Sequence, residues 1–317
     1  MKRVIIDTDP GIDDAAAILL ALASPELAIE AMTTVYGNGT SATTTQNALK
    51  ILEIAGRSDI PVYQGAGKPL LREPHIAHHV HGHDALGDVG IPAPKGHIQP
   101  GHAVNELIER VMASPGEITL LALGPLTNVA LALSLEPRLA DALASLVLMG
   151  GAVLTHGNTS EVASANLYND PEAAAIVYQS GAPIVQVGLD VCRKAMIPTA
   201  QWDRIRQADS PTLQFLTRIT PHIANFYAGR SMLNPGTAVA YNDVPAVVYL
   251  FAPELFTAQE LYVRIATHDE LTKGQTVADL GNRWGQPPNA RVLLDVRGAE
   301  LTAPFADRII TKFTGVS

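Results

Sequence analysis

Apolar runs of strand length alternate with segments of helical periodicity along the first two thirds of the chain. Val4–Ile6 is followed by a helical stretch, Ala15–Ala23, that stops at Ser24-Pro25. Ala28–Val35 reads as a strand and Thr43–Ala55 as a helix. Ile118–Leu123 and Leu126–Leu135 repeat the pair, and Leu146–Met149 is a strand that runs into Gly150-Gly151. Pro171–Ser180 reads as a helix, with Asp170 as its N-cap and proline at the first helical position, and Ile184–Leu189 as a strand. This alternation predicts an α/β fold: an open, mostly parallel central sheet, Rossmann-like, with helices on both faces. We expect a single domain over residues 1–317. The stretch from about Arg72 to Gly101 breaks the rhythm and predicts a long loop, with six of the ten histidines.

Composition narrows the chemistry. The chain has 317 residues, of which 47% are hydrophobic, enough for a sizeable core. No apolar window reaches the roughly 20 residues of a membrane span. The N-terminus enters a strand pattern at once, without a small-residue cleavage site, so no signal peptide is expected. The single cysteine, Cys192, excludes an internal disulfide and a thiolate metal site, and fits a reducing cytoplasm. A net charge of −9 with no basic cluster argues against a nucleic acid partner and for a small ligand. Trp202 and Trp284 read as packing residues.

The stretch DTDPGIDDA, residues 7–15, places Asp7, Asp9, Asp13 and Asp14 where the first strand ends. Ligands of open α/β sheets bind beyond the carboxyl ends of the strands. Asp13 or Asp14 can cap the following helix. Four carboxylates this close also repel one another, and an all-oxygen set suits a hard divalent cation such as Ca²⁺ or Mg²⁺. Further ligands must come from other strand ends. The Leu123 carbonyl is one candidate; Asp243 reads from sequence alone as an N-cap beside Pro245. Asn38, before Gly39, reads as a turn residue. His75–His83 invites a transition-metal site, but lacks the fixed ligand set of a tetrahedral zinc centre.

The chain resembles the nucleoside hydrolases of the inosine–uridine preferring type. The likeness rests on DTDPGIDDA and extends through TVYGN (34–38), HGHDALG (81–87), GPLTN (124–128), VLMGG (147–151), NLYNDPEAA (166–174) and GLDV (188–191). It implies Ca²⁺ held by Asp9, Asp14, the Leu123 carbonyl and Asp243, with Asp9 taking a proton from water. It implies Asp13, Asn38 and Asn166 on the ribose hydroxyls, Asn158 near the ribose 5′ end, His81 near the leaving base, and Asp7 orienting its neighbours. The implied activity is hydrolysis of ribonucleosides by a homodimer or homotetramer, without an organic cofactor.

Two positions depart from the family pattern. Asn242 stands where these enzymes usually have the histidine that protonates the leaving base; an amide gives up no proton at neutral pH. Tyr227, His81 or His83 are the remaining candidates for that task. Ser164 stands where the family has a glutamate at the 5′-hydroxyl, which predicts a roomier 5′ pocket and a modified base or 5′ group on the substrate. Two other readings compete. A haloacid-dehalogenase-like phosphatase would use Asp7, Asp9 and Mg²⁺, and a catalytically impaired relative would bind nucleoside without turnover. No role is expected of Asp190, and none explains Cys192 and Arg193.

Overall fold

The computed structural model describes residues 1–228 and 237–315. Its centre is β1, Lys2–Thr8, whose apolar run is buried on both faces: Val4 and Ile6 join one core and Ile5 the other. On one side β1 pairs in parallel with β2, Leu27–Thr34, and β2 with β3, Val62–Gln64. On the other it pairs with β4, Ile118–Ala122, then come β5, Ser145–Met149, and β6, Ile184–Val187. Strand Ala290–Val296 continues in parallel beside β6, and Phe256–Leu261 closes the eight-stranded sheet antiparallel to it. The chain therefore turns in opposite directions from β1 and from β4, and the crevice beyond their carboxyl ends is the topological switch point.

Helices cover both faces. Helix α1, Ile12–Ala23, is buried along its whole length, as its almost uninterrupted apolar sequence requires. It packs against Pro211–Ala228, Val244–Phe251 and Gly298–Thr314. Helices Ala103–Ala113, Thr127–Leu135 and Pro171–Gln179 cover the opposite face. No helix among the described residues is long and apolar enough to cross a membrane.

The predicted elements appear with shifted ends. Helix α1 starts at Ile12 rather than Ala15, which draws Asp13 and Asp14 into its first turn. The strand expected over Ile184–Leu189 stops at Val187, because Gly188 opens a single helical turn, Leu189–Cys192. Asp170 does cap its helix, accepting from the Ala173 N–H. The histidine-rich stretch is mostly irregular, with one helical turn at His78–His81. Trp202 is buried in the core, but Trp284 is not a packing residue: it is 43% exposed, edge-on to Tyr262.

Ile6, fully buried in the central strand, has no route to collapse around a cavity. Ile6→Ala is expected to destabilise the protein by about 2–5 kcal/mol, read from the shift in the urea unfolding midpoint.

Candidate active site

The floor of the crevice is built from β1 and the first turn of α1. Asp7 is fully buried, and its Oδ1 accepts from Thr33 Oγ1 (2.6 Å) and Asn128 Nδ2 (2.8 Å). Asn128 also donates to the Thr34 carbonyl and accepts from the Ala66 N–H, so it ties β1, β2 and the following loop together. Asp7 does not line the pocket, which removes the nucleophile that a phosphatase reading requires.

Asp9 does line it, with Oδ2 accepting from the Asn38 N–H at 2.8 Å. Two glycines let the backbone close around this carboxylate. A Cβ on Gly37 would lie 2.1 Å from Asp9 Oδ2, and one on Gly124 2.7 Å from Oδ1. Gly37 also holds φ +153°, where a side chain is strained. Gly11 is equally tight, its Cβ position 2.6 Å from Asn38 Nδ2.

Asp14 accepts three hydrogen bonds: from Thr8 Oγ1, from the Gly11 N–H (3.0 Å) and from Asn38 Nδ2 (2.9 Å). The Gly11 bond makes it a helix-capping residue as well. Asp13 is the opposite case. Its buried Oδ1 has no hydrogen-bond partner, and His81 Nε2 stands 3.8 Å away. Asp243 occupies the N-cap position of Val244–Phe251, yet its side chain makes no capping bond. It faces the floor instead: carboxylate oxygens of Asp13, Asp14 and Asp243 lie within 4.8 Å of one another.

The mouth is lined by amides and rings. Asn166 Nδ2 donates to the carbonyls of Leu123 (2.5 Å) and Met149 (3.0 Å), leaving its Oδ1 to accept from a ligand. Asn158 Oδ1 accepts from the Ala165 N–H, leaving its Nδ2 as a donor. Asn242 Nδ2 donates to the Tyr227 hydroxyl at 2.8 Å. His81 Nδ1 accepts from the Ile12 N–H at the start of α1. Asn47 fastens the histidine loop to the floor, donating to both the Pro10 and Asp84 carbonyls.

Two expectations about residues near the mouth are corrected here. The Ser164 hydroxyl is fully buried and accepts from the Gly151 N–H at 2.7 Å, so Ser164 is turned away from the pocket and does not line it. His83 is exposed, stacked against His78, and takes no part in the site.

Electrostatics here are governed by burial. Desolvation pushes the Asp7, Asp13 and Asp14 carboxyls up to about 6, with the negative charge of Asp13 adding to the effect on Asp14. Asp9 and Asp243 are pushed well above the usual carboxylate range, first by burial and then by neighbouring carboxylates. Among the described residues, no lysine or arginine pairs with any of them. Burial holds the His81 imidazole down at about 4, so it is neutral, with the proton on Nε2 facing Asp13. An orphaned carboxylate oxygen, an all-oxygen donor set and no compensating cation together fit a hard metal ion.

A crevice acidic at its floor and amide-lined at its mouth defines an α/β enzyme acting on a small hydroxyl-rich molecule. The family model for inosine–uridine preferring nucleoside hydrolases matches residues 4–303. The chain is 41% identical to the pyrimidine-specific ribonucleoside hydrolase RihA of Salmonella arizonae, over 98% of this chain and 99% of that one. It is 36% identical to a probable uridine nucleosidase of Arabidopsis thaliana, over 98% of each. Among solved structures, a plant nucleoside hydrolase, PpNRh1, superposes with a TM-score of 0.92 at 36% identity, over 98% of this chain and 99% of that one. A purine-preferring ribonucleoside hydrolase from Gardnerella vaginalis has the same TM-score at 29% identity, with the same coverage. The protein therefore belongs to the inosine–uridine preferring nucleoside hydrolase family. It is a ribonucleoside hydrolase, acting on an N-glycosyl bond.

Sequence reasoning missed Asn128 and Asn47, which hold the floor without touching a ligand. It also missed Phe226 and His79, which line the pocket edge-on to one another. Asn128 sits in the GPLTN motif, so the motif was visible although the residue's task was not.

A cation-free form has a definite pH signature. Asp7, Asp13 and Asp14 bind protons more tightly folded than unfolded, so their contribution to stability is complete below about pH 4 and is lost as pH rises through about 6. Chelator-treated protein is expected to melt at progressively lower temperature between those limits. Added divalent cation should raise the melting temperature most above pH 6; a flat profile without cation would contradict the assignment.

Proposed function

We propose that the protein hydrolyses the ribose–base bond with the help of a bound Ca²⁺, and that it favours pyrimidine ribonucleosides. The observation that carries the metal is the convergence of distant Asp243, its capping role unused, on the carboxylates of the first helical turn. Asp9, Asp14, Asp243 and the Leu123 carbonyl would hold the ion. Asp14 suits a ligand of the ion rather than of the sugar, because it lies beneath the pocket lining, whereas Asp13 is on the lining. When bound, Ca²⁺ supplies the charge that offsets these carboxylates and acidifies a coordinated water.

The chain's own groups account for the remaining steps. Breaking the glycosidic bond builds positive charge on the sugar, which the acidic floor stabilises. Asp9 is held by the Asn38 N–H at the pocket wall, where its carboxylate is placed to act as a general base toward water. The free Oδ1 of Asn166 and the unpaired Oδ1 of Asp13 accept from ribose hydroxyls, with Asn38 alongside. His81, neutral and with Nε2 3.8 Å from Asp13 Oδ1, lies beside that carboxylate and carries no spare proton for the base.

The base end supports the pyrimidine preference. Tyr227 accepts the Asn242 amide hydrogen, which frees its own O–H to donate. Burial pushes the phenol up, so it stays protonated and offers a hydrogen bond rather than a transferable proton. A ring carbonyl of a pyrimidine accepts such a bond. Departure of a purine gains most from full proton transfer, which Asn242 does not supply. The relatives named for uridine and pyrimidine ribonucleosides agree with this reading.

Uridine is expected to give free uracil and ribose, with turnover abolished by chelation and restored by Ca²⁺; both products are identified by mass. Asp9→Asn should lower kcat by about 10²–10⁴-fold while uridine binding persists; retention of full kcat would remove Asp9 from the base role. Asn242→His should raise kcat/KM for inosine relative to uridine, measured as a ratio on the two substrates. An unchanged ratio would show that position 242 does not govern base departure.

A further inference from the structure

The helical turn after β6 presents three side chains to the two opposite walls of the pocket. Asp190 is buried, and its carboxylate accepts from the Val153 N–H at 3.0 Å and the Leu154 N–H at 2.6 Å. Arg193 reaches the next three residues of the same loop: its guanidinium donates to Thr155 Oγ1 and the Gly157 carbonyl (2.8 Å), and faces His156 Nδ1 at 2.9 Å. Cys192, between them, directs Sγ at the Asn242 carbonyl, 3.2 Å away. Leu154 is 62% exposed and His156 is exposed, so residues 153–156 lean on this turn, while Gly157 and Asn158 are also tied to the Glu161 and Ala163 carbonyls. Immediately beyond lies Asn158, which lines the pocket.

We propose that Asp190 and Arg193 are positioning residues that set Asn158 for the 5′-hydroxyl of the ribose, so that this turn controls recognition of the substrate's 5′ end. The proposal rests on the reading above, in which the pocket takes a ribonucleoside, and on Asn158 meeting its 5′ end. A planar guanidinium spans three acceptors in a row, which a lysine ammonium on a flexible stem does not. Neither residue lines the pocket, so both act through the loop. The Ser164 hydroxyl, spent on the Gly151 N–H, leaves the 5′ side to Asn158.

The test compares uridine with 5′-deoxyuridine on the Ca²⁺-loaded enzyme and the variants Arg193→Ala, Arg193→Lys, Asp190→Asn and Asn158→Ala. Arg193→Ala is expected to raise KM for uridine about tenfold with kcat changed less than threefold, and to leave KM for 5′-deoxyuridine within twofold of the parent. Arg193→Lys and Asp190→Asn should fall between. Amide hydrogen exchange over residues 153–158 should quicken in Arg193→Ala and not at β1. Equal losses on both substrates, or unchanged exchange in the loop, overturn the proposal. If Asn158→Ala itself fails to distinguish the substrates, the 5′ placement of Asn158 is wrong and the proposal falls with it. If Asn158→Ala distinguishes them and Arg193→Ala does not, only the positioning role is lost.

Discussion

The constraint on which the site depends is the mutual repulsion of carboxylates held out of water. Five aspartates cluster at one end of the sheet, each more than 90% buried, and among the described residues no lysine or arginine pairs with them. Such a group is costly to keep charged. The fold tolerates it by hydrogen bonding wherever a donor can be spared. Asp7 receives two side-chain donors, Asp14 three donors and Asp9 one backbone N–H. Among the described residues Asp13 Oδ1 and Asp7 Oδ2 are left without a partner, and Asp13 meets Asp14 and Asp243 at the pocket floor. The unsatisfied oxygen of Asp13 therefore sits in a group of three carboxylates close enough together to share a cation.

The sheet topology explains how residues so far apart in sequence reach that place. Reversal of the strand order between the parallel neighbours β1 and β4 opens the crevice, and each loop that borders it contributes a different function. The loop after β1 brings charge, the loop after β2 brings Asn38, the residue after β4 brings the Leu123 carbonyl, and the segment after β5 brings Asn158 and Asn166. The helical segments at Tyr227 and Asn242 close the other side with a donor pair that is neutral at physiological pH. Floor and mouth are therefore electrostatically distinct, acidic below and uncharged above, as a neutral riboside with one reacting carbon demands.

Much of this was legible in the sequence because the strands are fully buried and their ends coincide with polar clusters. Val4–Ile6 followed by DTDPGIDDA announces both a strand and a site, and the structure puts them where the pattern did. Helix α1 was placed three residues late, since Ile12 to Asp14 carry no amphipathic signal of their own. Asp243 was legible only through the family resemblance; locally it is indistinguishable from a cap, and its side chain is recruited by tertiary contacts instead. Ser164 misled for a related reason: its size and polarity are legible in the sequence but its direction is not, and a backbone N–H 13 residues away takes the hydroxyl. Trp284 shows the same limit at the surface, where an aromatic residue has no obligation to be buried.

Gly11, Gly37 and Gly124 line one side of the floor so closely that no larger residue fits beside Asn38 and Asp9. That wall is therefore closed to evolutionary adjustment. Room for a different nucleobase or sugar has to come from the remaining lining, where Asn158, Phe226, Tyr227 and Asn242 present side chains rather than glycine backbone. Substitution in such a scaffold is one-sided: steric room is scarce beside the groups that perform the chemistry and greater beside those that meet the substrate.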